Sequence, residues 1–60
     1  MILRIVMDNG WHFDVKLHPE KVAKEIREGS SQFVDFRDKD GIMHSVNIDH
    51  IVCIKEVDYL

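Results

Sequence analysis

With only one cysteine, Cys53, the chain can form no internal disulfide, so its stability must come from its core or from partners. Glycine and proline are scarce too, three and one, which excludes collagen-like and low-complexity architectures and makes each of them punctuation at a definite place. No apolar run approaches the ~20 residues of a membrane span. Nothing at the N-terminus has the basic, apolar, small-residue order of a signal peptide, and the opening Met1 runs directly into an apolar alternation. Together with the lone thiol, this predicts a complete small gene product in a reducing cytoplasm. Positive charge is also in short supply. Eight Lys and Arg against eleven Asp and Glu give a net charge of −3 and a pI near 5.7, which opposes non-specific attraction to phosphate backbones.

What is present is a mixture of 45% hydrophobic and 32% charged residues of both signs, the composition of a folded chain rather than a disordered one. Sixty residues make one small domain, 1–60, and such a domain buries only about 60% of the surface that its unfolded chain exposes. Self-association is one way to finish the core.

Two strand-like runs, Met1 to Met7 and Trp11 to Leu17, flank the turn-forming Asp8-Asn9-Gly10. A two-residue Asn9-Gly10 loop would place Leu3, Ile5 and Met7 on the same face as His12, Asp14 and Lys16. A three-residue loop with Gly10 in the left-handed conformation instead pairs Met7 with Trp11, Ile5 with Phe13 and Leu3 with Val15, and sets Arg4 opposite Asp14. The second register makes one face wholly apolar and adds a charge pair, so it is the one expected. Pro19 then opens a helix to Glu28 that Gly29 closes, with His18 as a poor N-cap. Its narrow apolar stripe is Val22, Ile26 and Ala23, and Leu17 with Val22 is placed as a hydrophobic staple. Glu20–Lys24, Lys21–Glu25 and Lys24–Glu28 stand at surface-pair spacing.

Gln32 to Arg37 and Ile42 to Ile48 read as a second hairpin around Asp38-Lys39-Asp40-Gly41, with Phe33 pointing away from Val34 and Phe36. Asn47-Ile48-Asp49-His50 forms a tight corner before a last strand from Ile51 to about Val57. That strand has almost no alternation, which predicts a strand that is central or buried on both sides. The fold class is therefore α+β, in the order β-β-α-β-β-β, as a twisted antiparallel sheet or partial barrel with one helix.

The segment from Asp40-Gly41-Ile42-Met43-His44 through Ser45-Val46-Asn47-Ile48-Asp49 to His50-Ile51-Val52-Cys53-Ile54 resembles the strand, corner, strand ending of LytTR-type DNA-binding domains and of Sm-like barrels. The whole chain is similar in style to short uncharacterised proteins of Gram-positive bacteria and their phages. The resemblance implies a bacterial or phage origin and a β-rich C-terminal half, and it carries over no functional residue.

His44, His50 and Cys53 form the densest cluster of soft-metal ligands, but their spacing matches no zinc-site pattern and only one thiol is at hand, so the expectation is no metal and no cofactor. Cys53 reads as a small buried apolar group. Ser30, Ser31, Ser45 and Cys53 are the available nucleophiles, none in a catalytic motif, and a chain this short has little volume for a pocket. The expectation is no enzyme. Nucleic-acid binding would draw on Lys21, Lys24, Arg27, Arg37 and Lys39 with Trp11 or Phe33 for stacking, but the helix lysines alternate with glutamates. An acidic inhibitor copying a phosphate backbone would use Asp35, Asp38, Asp40, Asp49, Glu56 and Asp58. The favoured reading is a small regulatory or protein-binding module without cofactor, acting as a homodimer or other homo-oligomer. Its candidate interface consists of the apolar residues one helix cannot cover: Ile2, Val6, Phe33, Ile42, Tyr59 and Leu60.

Overall fold

The chain begins as the alternation requires. In a computed structural model describing residues 2–29 and 31–57, strand β1 (Ile2–Met7) turns back into β2 (His12–Val15), with Leu3 opposite Val15, Arg4 opposite Asp14 and Ile5 opposite Phe13. The expected three-residue turn closes this hairpin. Met7 N–H donates to Trp11 O at 2.8 Å, Gly10 N–H donates to Met7 O at 3.0 Å, and Gly10 has φ +87°. That backbone region penalises a Cβ, which is why glycine stands there. Asn9 Oδ1 accepts from Trp11 N–H at 2.9 Å and braces the turn.

Helix α1 (Pro19–Glu28) follows, with Pro19 in its first turn, where the missing N–H costs nothing. His18 caps it without any side-chain bond, and only its carbonyl engages the helix, accepting from Lys21 and Val22. Gly29 ends the helix in extended rather than left-handed conformation, φ −64° and ψ 130°, and donates to Glu25 O. A Cβ there would sit 3.0 Å from Glu25 O, a tight contact that glycine avoids. Of the expected stripe, Val22 is buried, Ile26 half-buried and Ala23 exposed, so the helix inserts a single side chain fully. Leu17 packs beside Val22 against the core, and Lys24 lies 4.0 Å from Glu28.

The second hairpin joins β3 (Phe33–Arg37) to β4 (Met43–Asn47), with Val34 opposite Val46 and Phe36 opposite His44. Its turn is organised by Asp38, whose Oδ1 accepts from the N–H groups of Asp40 and Ile42 while Gly41 takes φ +86°. A 3-10 turn, Ile48–His50, makes the corner, and Asn47 Oδ1 accepts from Asp49 N–H at its start. Strand β5 (Ile51–Val57) then returns antiparallel along β1.

Two antiparallel sheets result, β2-β1-β5 and β3-β4, and they do not close into a barrel. The first offers Leu3, Ile5, Phe13 and Val15 to the core, the second Val34, Phe36 and Val46, and the helix adds Val22. Phe13 and Phe36 meet across the sheets with ring centroids 6.3 Å apart.

One expectation is overturned. Strand β5 lies at an edge rather than in the centre, and Cys53 and Val52 are exposed, Val52 at 63%. Strand β1 takes the central place because the hairpin pairs it on one side and the returning chain on the other. The helix and second hairpin cover only the face that carries Ile51 and Ile54, so the opposite face and outer edge of β5 stay open.

Because both turn glycines sit at positive φ, Gly10→Ala and Gly41→Ala should each lower the unfolding free energy by about 1–2 kcal/mol in urea titrations, with unchanged m-values.

Candidate functional site

Strands and helix leave three kinds of surface where chemistry or recognition could occur. On the outward face of the three-stranded sheet, Arg4 and Asp14 meet across the β1–β2 pair. The guanidinium donates from Nε to Oδ1 at 2.8 Å and from a terminal nitrogen to Oδ2 at 3.2 Å. Asp14 is only 8% exposed because the Asp38–Gly41 turn folds over it, with Lys39 N–H donating to its backbone oxygen. The hydrogen bond from Arg4 holds the Asp14 carboxyl below its ordinary value against the opposing effect of desolvation. The same contact raises the Arg4 pKa. The Lys39 bond to the Asp14 backbone, beside this pair, fastens the turn of one sheet to the edge of the other.

Beside it, the first strand pair and the second hairpin build an aromatic cluster. His44 stacks on Phe13 at 4.5 Å, and Trp11 lies 5.4 Å from Phe13 and 5.3 Å from His44. Asp38 accepts from His44 Nε2 at 2.6 Å, and this bond, with those from the Ile42 and Asp40 backbone, holds its carboxyl below the usual range. An ionised carboxylate only accepts, which places the proton on Nε2. His50 Nδ1 lies 2.6 Å from Asp8 at the other side of Trp11. The carboxylates around Trp11 thus already have partners: Arg4 for Asp14, His44 for Asp38 and His50 for Asp8.

The third surface is apolar. An open groove of about 490 Å³ runs between α1 and the β1–β5 side of the sheet, floored by Leu3, Val22, Ala23, Ile26 and Ile54, with Arg27 and Glu56 at its rim. Alongside it runs the free edge of β5.

The predicted interface residues do not gather in one place. Ile2 and Val6 share the outward face of β1, half-buried, opposite Val57 and Cys53. Phe33, 56% exposed, and Ile42, 59% exposed, lie at opposite ends of the second hairpin, five residue steps or about 16 Å apart at ~3.3 Å per residue. Tyr59 and Leu60 lie outside the described residues. Met43, Val52 and the groove-lining Ala23 and Ile54 were not singled out as interface residues. Their apolar character is visible in the sequence, but their exposure depends on how the helix and the two sheets pack.

The other candidate chemistries disperse. His44 and His50 engage different aspartates, and among the described residues no three His, Cys, Asp or Glu side chains gather as a metal-binding set. Arg37 donates to Gly41 O, Lys39 lies 3.7 Å from Asp40, and Gln32 donates to Asp49, so several charges of the basic and acidic readings serve turns and corners. Among the described residues, no helix is long and apolar enough to cross a membrane. No family model, curated protein or solved structure matches the chain.

Two outcomes follow for the ion pairs. Asp14 has a depressed folded-state pKa, so its contribution to stability is present above the ordinary carboxylate pKa and is lost as pH falls through the folded value. Arg4→Met leaves the desolvated carboxyl without its donor. Urea titrations from about pH 2 to 6 should then show the acid-side gain of the native protein abolished, and the variant less stable than Asp14→Asn at neutral pH. His44→Ala removes the chief cause of the low Asp38 pKa, and carboxyl carbon NMR should find that pKa raised toward the ordinary value.

Proposed function

We propose that this chain is a small non-enzymatic protein-binding module that works as a homodimer. The observation that carries this reading is the apolar groove beside α1 and the open strand edge next to it, in a molecule with a single fully buried helical side chain. Groups that could do chemistry are occupied in holding the fold. Among the described residues His44 and His50 contact carboxylates rather than a thiol or hydroxyl, and Cys53 sits on an open strand face. Burying exposed side chains of Ile, Val or Phe size contributes roughly 1.5–3 kcal/mol each before the costs of association, enough for a symmetric contact of modest size to form.

Light scattering coupled to gel filtration, over a dilution series from millimolar to micromolar protein, should give twice the 7.1 kDa chain mass at the upper concentrations. A mass of one chain throughout the series would overturn the self-association reading.

A further inference from the structure

We infer that the second copy docks on β5: two β5 strands pair antiparallel about a twofold axis normal to the sheet, making one six-stranded sheet in the order β2-β1-β5-β5-β1-β2. This rests on the self-association reading and names its seam. Three observations converge on it.

The first is an asymmetry between the edges of the three-stranded sheet. Its β2 edge is short, four residues, and is already covered where Lys39 N–H donates to Asp14 O. Its β5 edge is seven residues long and, beyond the corner bond from Ile51 N–H to Ile48 O, has no backbone partner on its outer side among the described residues. A bulge at the β1 pairing confines irregularity to the start of β5, so Cys53 to Val57 run in regular register. An exposed regular edge of this length is a template for another strand.

The second is a mismatch of sequence and place. Ile51, Val52, Cys53, Ile54 and Val57 give β5 apolar groups on both faces, and Val52 and Cys53 are exposed beside its open edge. The edges of the second sheet lack this character: β3 alternates Phe33, Asp35 and Arg37 outward, and β4 carries Met43, Ser45 and Asn47. Pairing with a second β5 about an axis normal to the sheet sets the partner's apolar side chains beside these on the same face and shields them laterally.

The third is charge. The groove flanking β5 holds one cation and one anion, Arg27 and Glu56, neither of which has an ion pair among the described residues. A twofold axis normal to the sheet keeps both grooves on the same face and joins them across the seam. Each copy then offers the other an opposite charge, the self-complementarity that an isologous contact demands.

The test compares the native chain with two variants at exposed positions, Cys53→Lys and Phe33→Asp, by light scattering, with circular dichroism to establish folding. Cys53→Lys adds a second lysine beside Lys55 on one face, so antiparallel pairing would crowd four lysines together and should weaken association by about a hundredfold or more. The expected result is a folded monomer for Cys53→Lys and a dimer for Phe33→Asp. Hydrogen exchange on the native protein should show β5 amides slowing as concentration rises, with β4 amides unchanged. A folded Cys53→Lys variant that remains dimeric, or exchange in β5 independent of concentration in a dimeric sample, overturns the seam while leaving self-association intact. If Phe33→Asp alone becomes monomeric, the contact lies on the second hairpin and the β5 assignment fails. A native chain that is monomeric throughout removes the reading beneath it.

Discussion

Everything in this molecule depends on β1 being held in register from both sides. With Leu3 opposite Val15 and Ile5 opposite Phe13, four apolar side chains share one face, and that face is the floor of the core. A slip of one residue between the strands would send Phe13 and Val15 to the opposite face from Leu3 and Ile5, because side chains alternate along a strand. The left-handed Gly10 fixes the count of residues in the turn and so fixes the register. Arg4 and Asp14 occupy the opposite face in the same pairing, and the carboxylate is in turn buried by the second hairpin's turn. Packing, charge pairing and the contact between the two sheets therefore share one geometric origin.

Much of this was legible because neighbouring residues decided it. The loop of Asp8-Asn9-Gly10 had two candidate registers, and only one put apolar groups together and opposite charges across from each other. Pro19, Gly29, the Asp38–Gly41 turn and the Asn47 corner are local signals whose meaning does not depend on distant partners, and the helix and turns stand where they mark them. Strand β5 was misread for the opposite reason. Periodicity reports how many faces of a strand are apolar, not what lies against them, and an all-apolar run looks the same at an edge as at a centre. Cys53 inherited that error.

The candidate surface was legible only in part. Counting apolar residues against one narrow helix showed that some must remain uncovered, and Phe33 and Ile42 are indeed exposed. The groove between α1 and β5 was beyond reach because it arises from the helix contributing Val22 alone to the interior, while Ile26 and Ala23 stay toward the opening. The aromatic cluster of Trp11, Phe13 and His44 was hidden as well, since it joins a turn-flanking residue to a strand more than thirty residues later. Its carboxylates are occupied by histidine and arginine, which makes it a structural junction between hairpins.

The central strand of the larger sheet is the first one in the chain, and it is completed only by the last. Ile2 waits for Val57 and Ile5 for Ile54, so the longest loop closure in the molecule must be made before the sheet exists. Local pairing of the two hairpins can come early, but the apolar edge of β1 stays open until the final strand arrives. During synthesis this places the vulnerable interval after both hairpins and the helix have formed and before β5 is added, while the core still lacks one wall. A chain shortened by even a few residues within β5 would keep both hairpins and the helix, yet expose the strand around which they are assembled.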